Sequence, residues 1–226
     1  NTSVWNTLDI VTGYENSGPR FDNAYFSATT FQGRRISTAA VFPKTIVPEY
    51  NSGTSTLTLG IPASISWAGT SAANPDVALT MQADNIMVAR GFADGASSID
   101  FKNVGGLFRL TLCNVPATAS KLVFTTNKKI NGSFVVETVE ENNEEYPVIY
   151  TSDSYAEGEN AITINFATLA EASDMVFFIP VPVGTYQIGF AVKNSENTTL
   201  WEFNSSANNR VERAHMKKMP ALTYMV

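Results

Sequence analysis

Residues 106–113 read GLFRLTLC, and this octapeptide decides the fold. Phe108, Leu110 and Leu112 fall on one side of an extended chain, while Leu107, Arg109, Thr111 and Cys113 fall on the other. Successive side chains of a strand point to opposite faces, so this alternation predicts a half-buried antiparallel strand, with Cys113 a small side chain at its end. Runs of the same kind recur roughly every ten residues. They lie at 24–31 (AYFSATTF), 37–42, 55–61 (STLTLGI), 86–90, 121–126, 133–139, 161–166 (AITINF), 175–179, 185–192 (TYQIGFAV) and 199–203, bounded by Gly, Pro, Asn and Ser. A helical period of 3.6 is hinted at only over 168–173, a single turn. The pattern predicts an all-β chain of the sandwich or Greek-key class.

Length argues for two such units. The chain has 226 residues, above the common domain size of about 100–150. The small-residue stretch 91–98 (GFADGASS) is the natural boundary, giving an N-terminal β-sandwich over 1–98 and a C-terminal one over 99–226. Within the second unit, 121–134 (KLVFTTNKKINGSF) reads as strand, tight turn, strand, with Asn131-Gly132 supplying the positive φ that a tight turn requires. The acidic run 140–145 (EENNEE) reads as a solvated hairpin tip.

Composition narrows the function. Hydrophobic residues make up 44% and charged residues 16%, against about 25% charged in an average domain, so the chain has a core and a surface of Ser, Thr and Asn. A net charge of -6 argues against a nucleic-acid partner, whose phosphates need clustered Lys and Arg. The longest apolar run, 175–184 (MVFFIPVPVG), falls well short of the ~20 residues of a transmembrane helix, so no transmembrane segment is expected. The sequence begins at Asn1 without an initiator Met, as a processed protein or a trimmed piece of a longer reading frame would.

One His and one Cys leave no set of zinc ligands and no disulfide pair. His215 sits in a polar stretch (RVERAHMKKMP) and is expected at the surface; neither G-x-S-x-G nor S-x-x-K occurs. The acidic run lacks the D-x-D-x-D-G order of a calcium loop. Gly105-Gly106 and Gly184 mark strand ends, without the following helix that a phosphate cradle needs. Trp5, Trp67 and Trp201 read first as core and second as a sugar-stacking face. Asn131, Asn197 and Asn204 stand in N-x-S/T sequons. The expectation is therefore no catalytic residues, no cofactor and no metal.

Taken in order, several segments resemble the fimbrillins of Bacteroidales bacteria, the type V pilus subunits and their surface-lipoprotein relatives. The segment 5–11 (WNTLDIV) resembles the W-x-x-x-D-x-I/V start of that fold, Phe31-Gln32-Gly33 an F-x-G piece, and 39–43 (AAVFP) an A-x-x-P strand ending. Ile61-Pro62, Trp67, Asn74-Pro75 and Met81-Gln82-Ala83 resemble a P…W…P-M-x-A region, here split by an insertion. The most specific likeness is 99–134, where IDFKNVGGLFRLTL is followed by KLVFTTN and INGSF. The segment 175–186 resembles a late strand pair, and Arg213 with Met219-Pro220 the closing segment.

The resemblance implies two transthyretin-like, Greek-key β-sandwich domains in tandem. It implies a non-catalytic fimbrial subunit or adhesin, exported with an N-terminal lipid anchor on its precursor and displayed outside the outer membrane. Partners would be other fimbrial subunits joined by β-strand addition, together with host or bacterial surface ligands. Main-chain hydrogen bonds supply affinity in such joints and alternating side chains supply register. The candidate donor strand is the C-terminal stretch, with Met219, Ala221, Thr223 and Met225 alternating against Pro220, Leu222, Tyr224 and Val226. The competing reading is an edge strand that closes its own sandwich. Arg34-Arg35 is a candidate protease site, and an activating cut upstream of Trp5 is the other reading. A surface glycan-binding lipoprotein module that does not polymerise is the alternative function; it would show two or more exposed aromatics lining a groove with Asn and Asp.

Overall fold

The computed structural model describes residues 9–10, 26–27, 39–42, 46–51, 54–66, 79–82, 86–90, 100–141 and 143–225. Trp5, Arg34, Arg35, Trp67, Val226 and the segment 91–98 lie outside them. In chain order the first strands are β1 (Asp9–Ile10), β2 (Phe26–Ser27), β3 (Ala39–Phe42), β4 (Val47–Asn51), β5 (Thr56–Ile61), β6 (Ser64–Ser66), β7 (Leu79–Gln82) and β8 (Met87–Arg90). Next come β9 (Lys102–Asn103), β10 (Gly106–Val115), β11 (Ala119–Thr126), β12 (Gly132–Val135), β13 (Glu137–Glu141), β14 (Glu144–Val148) and β15 (Ala161–Asn165). The last are β16 (Ser173–Val181), β17 (Gly184–Tyr186), β18 (Ile188–Asn194), β19 (Thr199–Asn204), β20 (Asn209–Val211), β21 (Met216–Lys218) and β22 (Leu222–Thr223). The fold is all-β, and no helix occurs among the described residues.

The segment expected to form a helical turn, 168–173, is an irregular bend that runs into β16. Within it the Leu169 N–H bonds the Ala117 carbonyl, just after the Phe166 N–H has bonded that of Ser120. Leu169 packs half-buried on the core. A tertiary contact thus overrides the weak local period.

Two five-stranded sheets share the larger core. One runs β21-β10-β16-β7, with β22 also on β10; the other runs β19-β18-β11-β15-β6. Phe108, Leu110 and Leu112 are fully buried, as the alternation of β10 requires, and they meet Leu122 and Phe124 of β11 in one cluster. The Phe108 ring lies 5.5 Å from Phe124 and 5.8 Å from Tyr186, edge-on to the latter, so one side chain couples both sheets. Tyr186 is fully buried, and its hydroxyl donates to the Pro182 carbonyl at 2.7 Å. Strand β16 is apolar on both sides, with residues 175–177 and 179–181 all buried, the pattern of a strand covered on two faces.

A second cluster joins two three-stranded sheets, β12-β5-β4 and β3-β8-β9. Leu57, Leu59, Ile86, Val88, Val104, Phe134, Val136 and Ile149 form it. The two cores interleave along the chain. β6 and β7 extend the large sheets, while β12, Val136 and Ile149 enter the smaller cluster.

That interleaving corrects the hairpin expected over 121–134. β11 and β12 belong to different sheets, and β12 pairs antiparallel with β5, Phe134 opposite Leu59. Gly132 does carry a positive φ of 87°, but Asn131 beside it turns inward. Only 5% exposed, Asn131 donates its amide to the carbonyls of Gly158 and Ala161. The run 133–139 is likewise two strands, because Val136 N–H bonds the Leu57 carbonyl at 2.8 Å and the chain then turns into β13. β13 and β14 pair as a hairpin whose last register pair is Glu141–Glu144, so the acidic tip lies where the sequence places it.

Candidate functional site

The C-terminal segment lies along β10 as the edge of the first large sheet, parallel to its neighbour. Met216, Lys217 and Lys218 stand beside Leu107, Phe108 and Arg109; Leu222 and Thr223 stand beside Leu112 and Cys113. Between the two contacts four steps of the segment, 218 to 222, match three of β10, 109 to 112. One extra residue reverses which side chains face inward, the effect of any single-residue slip in a strand. Met219 therefore shares the core with Leu222, whereas Ala221, Thr223 and Met225 are exposed. The uninterrupted two-sided alternation read from the sequence does not hold across Pro220, where no ladder donor exists.

Main-chain bonds outside these two ladders also tie the segment to β10. Leu107 N–H donates to the His215 carbonyl at 3.0 Å, Met219 N–H to the Arg109 carbonyl at 2.9 Å, and Tyr224 N–H to the Cys113 carbonyl at 3.0 Å. The Asn114 amide adds a bond to the Tyr224 carbonyl at 3.1 Å. Asn114 has φ 59° at the bulge of β10, a conformation Asn tolerates, and its own N–H is taken by Asp174 at 2.9 Å. On the inner side the Tyr224 ring lies 5.8 Å from Trp201, which stands edge-on to Phe190 at 5.1 Å. Trp201 and Phe203 of β19 pack half-buried on the core, so the segment bridges the margins of both large sheets. Met216 is 51% and Met225 86% exposed.

The root of the segment is a tight turn over 212–215. Ala214 sits at φ 59°, its N–H donating to the Gly105 carbonyl at 2.8 Å, and His215 N–H returns to the Glu212 carbonyl. The left-handed region costs a residue with a Cβ about 1–2 kcal/mol. Gly106 lets the turn approach: a Cβ there would stand 2.4 Å from the Glu212 carbonyl oxygen and 2.8 Å from that of His215. Arg213 anchors the turn to the acidic hairpin, with its guanidinium 2.6 Å from Glu141 and 4.2 Å from the centre of the Tyr146 ring. Lys102 also lies 4.2 Å from that ring centre and 3.6 Å from Glu144. The Tyr146 hydroxyl, donating to Glu144 at 2.7 Å, holds that carboxyl below its ordinary range, with Lys102 acting in the same direction. None of these contacts was visible in the sequence, where Arg213 stood only as part of a closing motif.

Elsewhere the residues fall in ordinary places. His215 is exposed, and Cys113 is a half-buried free thiol facing the same side of the sheet as Thr223. Asn131 of the first sequon is buried, while Asn197 and Asn204 are exposed. An open cleft on the β4–β5 hairpin is lined by Glu49, Tyr50, Asn51 and three threonines, and Tyr50 packs half-buried against the smaller core. Among the described residues no group of three or more His, Cys, Asp and Glu is disposed to hold a metal. No described helix is long and apolar enough to cross a membrane. No protein-family model matches the chain, and no curated protein matches its sequence.

Proposed function

We propose that this chain is a non-catalytic fimbrial subunit or surface adhesin of the fimbrillin kind, joined to its neighbours by strand donation. The observation that supports it is the C-terminal segment. A C-terminal strand at a sheet edge, with Leu222 and Tyr224 aimed inward and its far side exposed, has the form of a transferable strand. Lys217 and Lys218 stand on the same edge, where charge discourages plain sheet extension by a passing strand. On this reading the protein is exported, lipid-anchored as a precursor and displayed at the cell surface, with other subunits and surface ligands as partners.

The test is to express the precursor in its native envelope, shear the cells and look for SDS-resistant ladders containing this chain. Deleting residues 219–226 abolishes the ladder while a folded monomer persists, and replacing Arg34 and Arg35 shows whether a cut there activates assembly. A ladder that survives the deletion removes the donor role; a cell-bound monomer under all conditions removes the polymer altogether.

A further inference from the structure

We infer that two copies of this chain exchange residues 216–225, each laying its segment along β10 of the other, with the turn around Ala214 as the hinge. The inference rests on the reading of this segment as a donor and names its acceptor. That acceptor is the margin the segment already occupies. A second copy brings the same side chains to the same places: Leu222 beside Leu112, Thr223 beside Cys113, Tyr224 against Trp201. No new complementarity has to be invented, which is why exchange of an identical element is a low-cost route to association.

The hinge supplies the bias. Short strained turns favour exchange, because the chain relaxes when it runs straight. Ala214 at φ 59° is such a turn, and its strain shifts the closed–open balance roughly tenfold towards opening. Against it stands an effective concentration on the order of mM for a segment docking on its own chain. Closed monomers therefore dominate in dilute solution, and exchanged pairs form on refolding at high concentration or on a crowded surface.

The register provides the assay. Thr223→Cys places a second thiol beside native Cys113, and adjacent strands bring the two Cα atoms within the 4.4–6.8 Å that a disulfide spans. The variant is unfolded, refolded over a concentration series, oxidised, and resolved by non-reducing electrophoresis and peptide mass mapping. Unmodified protein and Cys113→Ser/Thr223→Cys serve as controls for other pairings. The expected result is a disulfide between Cys113 and the introduced thiol, formed within one chain at low concentration and between two chains at high concentration.

Adding Ala214→Gly, which removes the strain from both hinges of a pair, raises the concentration needed about a hundredfold, a factor of about ten for each hinge. Adding Ala214→Pro, which can neither adopt φ 59° nor donate to Gly105, lowers it. If the proline variant does not fold, the glycine variant and the concentration series decide alone. An exclusively intramolecular disulfide at every concentration, or the same midpoint with Ala214→Gly, overturns the inference. Ladders in the envelope that depend on 219–226 but never carry the bond between Cys113 of one chain and the introduced thiol of another overturn it while leaving strand donation intact. Interchain disulfides without dependence of the ladders on 219–226 leave the exchange standing and remove the donor reading.

Discussion

Tyr186→Phe tests the larger core through a single oxygen atom. The ring stays in place against Phe108, and only the hydroxyl that donates to Pro182 at 2.7 Å is lost. A net hydrogen bond contributes about 0.5–1.5 kcal/mol, and a buried carbonyl left without its donor adds to that, so the loss at pH 7 is about 1–3 kcal/mol. For a chain of this size each kcal/mol lowers Tm by roughly 2–4 °C. The alkaline side is more specific. Burial pushes the Tyr186 phenol well above its ordinary value, so its contribution is complete below the unfolded pKa of about 10 and is lost as pH rises beyond it. Each pH unit above that point removes about 1.4 kcal/mol from the native protein and nothing at this position from the variant. Urea midpoints followed by tryptophan fluorescence at pH 7, 9, 10 and 11 should therefore converge, the native advantage shrinking by about 1.4 kcal/mol by pH 11. Parallel curves over that range, or no loss at pH 7, would refute the account of Tyr186.

Three further outcomes follow from the packing. Phe108→Ala should lose about 3–5 kcal/mol in chemical denaturation, because the ring is fully buried between Phe124 and Tyr186; a loss under about 1 kcal/mol would show that the sheets do not depend on it. Gly106→Ala should destabilise by about 1–3 kcal/mol and speed protease cleavage near 212–216, since the added methyl displaces the turn; an unchanged cleavage rate contradicts the close approach. Glu159 is held below the ordinary carboxylate range first by the Ala156 N–H and then by Lys129. Its contribution is present above about pH 4.5 and fades as pH falls through the lowered value, so Tm of Glu159→Gln between pH 3 and 6 should depend less on pH than that of the native chain.

The period of a strand was legible wherever its partners were immaterial. Phe108, Leu110 and Leu112 are buried as their spacing demands, and Ile162 and Ile164 of β15 follow the same rule. Partner choice was not legible. Asn131-Gly132 has the residues of a hairpin turn, yet the strand after it pairs with β5, because Phe134 and Val136 fit the apolar margin left by Leu57 and Leu59. That preference lies in volumes brought together from 75 residues apart in the case of the Phe134–Leu59 pair, and no local window contains it. The C-terminal segment shows a second limit. Its alternation reads cleanly through Pro220, but the extra residue against β10 resets the phase, and only the neighbouring strand reveals the mismatch. Ala214 gave no signal at all, since nothing in its residue type suggests a left-handed turn.

The crossing of strands between the two cores bears on how the molecule comes apart. Leu57 and Leu59 lose Phe134 and Val136 whenever the later strands detach, and β15 loses its neighbour β6 whenever the earlier ones do. Neither cluster can open without exposing apolar surface of the other. Calorimetry should accordingly register one cooperative transition, and the slowest-exchanging amides should be found in both clusters rather than confined to one.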